Sequence, residues 1–193
     1  MMKKGKFIVI TGLDGAGTTS LGEYLSKSDP NGYFIHTPNG IYSDVRELFT
    51  KYVREKSPAG HFNFYLSSVI SASYEIEKML ETHNVYCVRY LIDTVVSHRV
   101  AGLDVKLEYD LGYYKIVEPD LTLFVDIEES IRQSRISSRG KSELDKVLDD
   151  SNVKNKFLQE FYQLSNCFVK VNNNSSFDEM CKNVKRIVSE YIS

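Results

Sequence analysis

The stretch Phe7 to Leu25, FIVITGLDGAGTTSLGEYL, constrains this chain more than any other, because an apolar run of β type feeds a glycine-rich turn that opens directly into a helical pattern. Gly12, Gly15 and Gly17 let backbone N–H groups approach an anion closely, and the helix that follows points its positive end at the same spot. Gly12 to Thr19 follows the phosphate-binding pattern GxxxxGK[ST] at both glycines and at the hydroxyl of Thr19. The lysine position is occupied by Thr18. The loop residues Gly12, Gly15, Ala16, Gly17, Thr18, Thr19 and Ser20 are therefore the first candidates for contact with phosphate.

Strands and helices alternate from there to the end. Phe7 to Thr11 reads as a buried strand and Thr18 to Ser28 as a helix stopped by Asp29-Pro30-Asn31-Gly32. Tyr33 to Thr37 is a second strand, after which Ser43 is expected to cap a helix over Asp44 to Glu55. That boundary puts Arg46 in the first turn, where a cation opposes the helix dipole; a bound anion would explain it, and so would a solvated surface position. Ser57-Pro58-Ala59-Gly60 breaks the chain before a long apolar-faced helix from His61 to Glu81, with His61 and His83 read as solvated or capping groups at its ends. Asn84 to Val88 is a strand whose carboxyl end carries Arg89, and a helix is expected through Asp93 to Ala101. Leu121 to Ile127 is another buried strand, closed near Asp126. Arg132, Arg135, Arg139 and Lys141 then form the one dense basic cluster, which a solvated helix paired with Glu128 and Glu129 would also explain. A helix over Leu144 to Leu164, a strand over Phe168 to Val171 and an amphipathic helix over Phe177 to Ile192 complete the pattern.

Five short strands alternating with helices predict an α/β fold, a three-layer α/β/α sandwich around a five-stranded parallel sheet, within one domain. Ligands of such sheets bind at the carboxyl ends of the strands, where Arg46, Arg89 and the basic cluster converge. At 193 residues with 42% apolar content the chain can bury one sizeable core. Its 24 basic and 26 acidic residues leave a net charge of −2, which gives no general field for nucleic acid or for a membrane surface. Cys87, Cys167 and Cys181 lack metal-ligand spacing and read as buried free thiols of a reducing, cytoplasmic compartment. The apolar run after MMKKGK ends in the glycine turn, so it reads as a first strand and not as a leader, and no run approaches the length of a bilayer span.

The GLDGAGTTS loop, the CVRY strand end, the PDLTLFVDI strand, the RISSRG arginine segment and the FLQEFYQL helix occur in the order found in thymidylate kinases, and the chain resembles that branch of the P-loop nucleoside monophosphate kinases over nearly its whole length. The resemblance implies a P-loop NTPase-type fold with a lid near residues 128–150, and transfer of the ATP γ-phosphate to thymidine monophosphate. It implies that the glycine loop holds the donor phosphates, with Thr19 on Mg2+, and that Asp14 takes the acceptor's sugar hydroxyl. Arg46 and Arg89 would hold the acceptor phosphate, Tyr65 would stack on the base, and Arg135 and Arg139 would close over the donor. A homodimer packed through Asp44 to Val53 and His61 to Leu80 is also implied.

The departures from the family pattern are specific. Thr18 removes the loop's lysine charge, Val88 stands where an aspartate precedes the arginine, and Val69 stands where a further arginine aligns. Asp126 and the lid arginines are candidates to compensate. Ser97-His98-Arg99 follows the thymine-reading segment loosely, which makes His98 and Arg99 candidates for reading a base. Three readings stay open at this level: an active nucleoside monophosphate kinase with a variant loop, a nucleotide-binding protein of this fold without catalysis, and a kinase for another nucleoside or nucleotide.

Overall fold

The computed structural model describes residues 5–140 and 148–192, without the side chains of Arg139 and Ile192. Lys141 and the expected helix start at Leu144 lie outside the described residues, as does the middle of the segment read as a lid.

Each apolar run becomes one strand of a single sheet. The strands are β1 (Phe7–Gly12), β2 (Gly32–His36), β3 (Asn84–Val88), β4 (Leu121–Asp126) and β5 (Val169–Asn172). They lie in the order β2-β3-β1-β4-β5, and every neighbouring pair is parallel. Among the described residues seven helices flank them: α1 (Thr18–Ser28), α2 (Gly40–Tyr52), α3 (Pro58–Met79), α4 (Leu91–Val100), α5 (Glu129–Arg139), α6 (Ser151–Gln163) and α7 (Phe177–Ile192).

The period-two alternation of a strand sorts β1 between the two faces of the sheet. Ile8 and Ile10 pack on one side with Leu21 and Leu25 of α1 and Met180 and Val184 of α7. Phe7 and Val9 pack on the other with Val69 and Ile76 of α3 and Val95 of α4. The expected three-layer sandwich follows, and β1 at its centre delivers Gly12 and the glycine turn to the carboxyl edge.

Four local expectations change, the first being the helix expected over Leu144 to Leu164, which among the described residues begins only at Ser151 with Asp150 as its N-cap. The helix expected from Ser43 begins at Gly40, with Asn39 as its N-cap, so Ser43 lies inside it and Arg46 stands beyond the first turn. The dipole argument for an anion beside Arg46 therefore falls away. Pro58, read as a breaker, occupies the first turn of α3, where its missing N–H costs nothing, and Ser57 Oγ accepts from Gly60 N at 3.1 Å. Cys87 and Cys181 are buried free thiols, but Cys167 is exposed in the short turn before β5. Among the described residues no helix is long and apolar enough to cross a membrane.

Candidate active site

The glycine turn closes between β1 and α1 with Gly15 and Gly17 at φ +85° and +94°, a backbone region that side chains with a Cβ rarely adopt. Gly17 is also the N-cap of α1, so the first free amides of that helix open at the loop. Thr18 is buried, whereas Thr19 and Ser20 are exposed at the mouth of the cleft. Arg135, reaching over from α5, brings Nη1 to within 3.8 Å of where a Cβ on Gly17 would stand. A cation thus lies beside the loop that lacks its own lysine.

Arg89 follows β3 at the next edge position. It is the one non-glycine residue with positive φ, +66°, among the described residues. Its left-handed backbone is fixed on both sides: its N–H donates to Ile10 O at 3.1 Å, and Thr37 Oγ1 and Cys87 Sγ donate to its carbonyl at 2.9 and 3.0 Å. This turn sends the guanidinium back across β1, where Nη2 meets Asp14 Oδ1 at 2.6 Å and Nη1 meets Asp93 Oδ1 at 2.8 Å and also donates to Gly12 O.

Asp93 was not among the expected site residues, and it is the hub of this edge. It accepts from Thr11 Oγ1 at 2.6 Å and from Tyr90 N at 3.0 Å as well as from Arg89. A carboxylate three residues into a helix is a capping signal, and Asp93 holds that place in α4, so this part of its role was legible. Val88 faces the other way: its Cγ2 lies 2.6 Å from where a Cβ on Gly22 would sit, so it packs on α1 as core. Asp126, considered as a compensating carboxylate, is occupied by Lys170 Nζ at 2.9 Å. Arg132 is completely buried, so the alternative reading of the basic cluster as a solvated helix fails at this residue, while the pairing with Glu129 that it included is present at 2.8 Å.

The far end of the cleft is aromatic. Tyr65 lies beside His61 and His98, with ring centroids 4.9 and 5.8 Å away. His61 is buried, contrary to its reading as a solvated end group, because α3 begins early enough to seat it against α4. His98 Nδ1 lies 2.7 Å from Thr94 O, and a carbonyl can only accept, so Nδ1 carries the proton. His98 Nε2 is then the acceptor for His61 Nδ1 at 2.9 Å, which leaves the lone pair of His61 on Nε2, toward Thr50 Oγ1 at 3.5 Å. Burial, the neighbouring His98 and Arg54 push His61 down to about 4, and burial lowers His98 as well, so both imidazoles are neutral near pH 7.

These features line one cavity of about 610 Å³ at the carboxyl edge. The loop residues Gly12, Gly15, Gly17, Thr18, Thr19 and Ser20 form one wall. Of the other expected residues, Asp14, Arg46, Arg89, Tyr65 and His98 also line it, with Arg135 above the loop. Two expected residues are not brought there. Ala16 is buried beneath the loop, and Arg99, one position past His98, turns out of the cleft to donate to Val105 O at 2.7 Å and approach Glu160 at 3.8 Å. Arg139 closes α5, and its side chain lies outside the described residues. Among the described residues no group of three or more His, Cys, Asp or Glu side chains forms a metal cage.

Comparison with known proteins agrees with this geometry. A probable thymidylate kinase of Methanococcus vannielii is 23% identical over 161 residues, 83% of this chain and 78% of that protein. The thymidylate kinase of Rickettsia africae is 27% identical over 206 residues, covering 95% of this chain and 90% of that protein. The structure of a thymidylate kinase from Candida albicans superposes with a TM-score of 0.74 at 17% identity, covering 97% of this chain and 92% of that one. A thymidylate kinase structure from Ehrlichia chaffeensis gives 0.71 at 16% identity, covering 96% and 99%. The family model described as thymidylate kinase matches residues 10–184, from the middle of β1 into α7, and so takes in the loop, Arg89 and the α5 arginines together. By that match this chain belongs to the thymidylate kinase family.

Proposed function

We propose that this chain transfers the γ-phosphoryl group of ATP to dTMP. The observation that supports this best is the single cavity that joins the amide loop, the Asp14–Arg89–Asp93 cluster and the Tyr65 ring at one edge of the sheet. In the step itself, a phosphate oxygen of dTMP bonds to the γ-phosphorus as the bond from that phosphorus to the β,γ-bridging oxygen breaks. The products are dTDP and ADP. Little covalent chemistry is asked of the protein, so alignment and neutralisation of spreading negative charge make up its contribution.

The residues divide between the two substrates. The amides of Gly12, Gly15, Gly17, Thr18 and Thr19 and the guanidinium of Arg135 hold the donor phosphates, and Arg139 meets the transferring group. Arg89 and Arg46 hold the acceptor phosphate, Asp14 takes the sugar hydroxyl, and Tyr65 stacks on the base with the neutral His98 behind it. Mg2+ requires oxygen ligands and keeps several waters, and the exposed hydroxyl of Thr19 fits it as one protein ligand alongside the nucleotide's own phosphates. When bound, the ion neutralises charge on those phosphates.

The reading includes a cytoplasmic homodimer. Free cysteines suit a reducing compartment. No side chain of α2 is fully buried, and Ile41, Leu48 and Tyr52 leave an apolar stripe of 53% to 66% exposure for a second copy to cover.

A coupled assay of ADP release with Mg-ATP against dTMP, dUMP, dCMP, dAMP and dGMP tests the activity. Release that is fastest with dTMP supports it. Nucleotide binding without release for any acceptor assigns the chain a non-catalytic role on the same fold.

A further inference from the structure

Two buried side chains hold the phosphate loop from behind. Arg132, with no solvent exposure, donates from Nη1 to Asp14 O at 3.0 Å, and its Nε and Nη2 are fixed on Glu129 at 2.8 Å each. Asn173, on the turn after β5 and 1% exposed, donates from Nδ2 to Ala16 O at 2.6 Å. Its own backbone N–H is tied to Asp126 O at 2.8 Å, so the amide side chain stands on a fixed base.

The same groups fill the space behind both glycines. A Cβ on Gly15 would meet Ile136 Cγ1 at 2.8 Å and Arg132 Cγ at 3.1 Å. One on Gly17 would meet Asn173 Nδ2 at 2.8 Å. Peptide planarity gives this packing a direction. In a trans peptide the C=O of one residue and the N–H of the next point opposite ways. With Asp14 O drawn toward Arg132 and Ala16 O toward Asn173, the N–H groups of Gly15 and Gly17 are turned away from α5 and β5, toward the cleft that both glycines line.

A lysine in such a loop adds charge that acts at a distance and follows the phosphates through small loop movements. Amide dipoles act only while they stay aligned, and donors must be held within about 0.5 Å of the productive position. With Thr18 in the lysine's place, affinity rests on that alignment. We propose that Arg132 and Asn173 are positioning residues that pre-align the Gly15 and Gly17 amides for the donor phosphates, so that rigidity substitutes for part of the charge absent at position 18. The inference rests on the reading of this loop as the donor-phosphate site.

The test is a double-mutant cycle between position 18 and each brace, read as binding of ATP and of inorganic tripolyphosphate by calorimetry. Asn173→Ala in the native background is expected to weaken tripolyphosphate binding about ten- to a hundredfold, the worth of losing well-aligned hydrogen bonds to a charged ligand. In a Thr18→Lys background the same change is expected to cost less than about threefold, because neighbouring sites that share one task are not additive. Binding of dTMP stays unchanged in both. Arg132→Met, which keeps much of the volume and removes the donors, repeats the cycle for ATP and tripolyphosphate only, because Arg132 also holds Asp14 O, and stands in if Asn173→Ala fails to fold. Equal losses in the two backgrounds, or no loss in the native one, overturn the bracing. A native protein that binds neither ATP nor tripolyphosphate overturns the donor-site reading itself.

Discussion

Arg89 Nη2 stands 2.6 Å from Asp14 Oδ1, so the arginine assigned to the acceptor phosphate and the carboxylate assigned to its sugar are each other's partners. Asp93 holds the other side of the same guanidinium at 2.8 Å. On the proposed assignment, an incoming phosphate would compete with Asp14 for a group that is already oriented, while Asp93 would keep it in place.

Arg89→Ala is therefore expected to raise KM for dTMP about ten- to a hundredfold, with a smaller change in kcat. Steady-state kinetics at saturating ATP check this. A variant that loses kcat at unchanged KM would move Arg89 from ground-state binding to the transferring group.

The arginines of α5 are expected to behave oppositely. Arg135 lies beside Gly17 at the loop, and Arg139 closes the same helix one turn on. Arg135→Ala should raise KM for ATP, and Arg139→Ala should lower kcat by more than about a hundredfold, since no lysine at position 18 shares its task. Near-normal turnover by Arg139→Ala rejects its role.

His61 and His98 give the protein an acid-sensitive seam between α3 and α4. The folded state holds His61 near 4, below its ordinary 6.5, so an unfolded chain takes up the proton first as pH falls. The contribution of His61 to stability is complete above pH 6.5 and is lost as pH drops from 6.5 through 4. Thermal midpoints measured across that window should fall more steeply for the native protein than for His61→Asn. Superimposable slopes would remove the dyad as the cause.

Glu129 acts in a lower window. Its hydrogen bond from Arg132, helped by Gln133 and Lys154, holds the carboxyl at about 2, below its ordinary 4.5. The contribution is present above pH 4.5 and is lost as pH falls through 2. Glu129→Gln should flatten the acid limb of unfolding below pH 4.5, followed by circular dichroism, and leave the limb above it unchanged.

The α2 stripe predicts an assembly. Light scattering is expected to give twice the 22.1 kDa chain mass, and Leu48→Asp, which charges a side chain 57% exposed in the monomer, should return the single mass. A native protein of single mass at all concentrations would reject the dimer.

What the sequence disclosed depended on how local each cause was. The bounds of α1, β3 and α7 match the expected residues, because each is a local apolar or amphipathic run, and α1 ends at the breaker Asp29-Pro30-Asn31-Gly32. The start of α2 was misplaced because Pro38-Asn39-Gly40 has turn composition, yet Asn39 caps and Gly40 opens the helix. Arg99 was misplaced because adjacent residues of a helix point about 100° apart, so His98 faces the cleft and Arg99 leaves it. Arg132 and Asn173 could not be recognised as parts of the loop, because they act on carbonyls 118 and 157 residues away in sequence. Charge patterning sees neighbours along the chain and cannot see those.

The place of β1 in the sheet also governs how the chain comes off the ribosome. β1 is the middle strand, but its two partners begin only at Asn84 and Leu121, and among the described strands no pair is a local hairpin. β1 thus has both edges open until Asn84 to Val88 is made and one edge open until Leu121, and the phosphate loop has no brace until Arg132 and Asn173 have been made. Such non-local pairing folds late and leaves apolar edges exposed meanwhile. Nascent chains arrested before Leu121 should accordingly depend on chaperones, whereas chains extended past Asn173 can close both sides of β1 and release them.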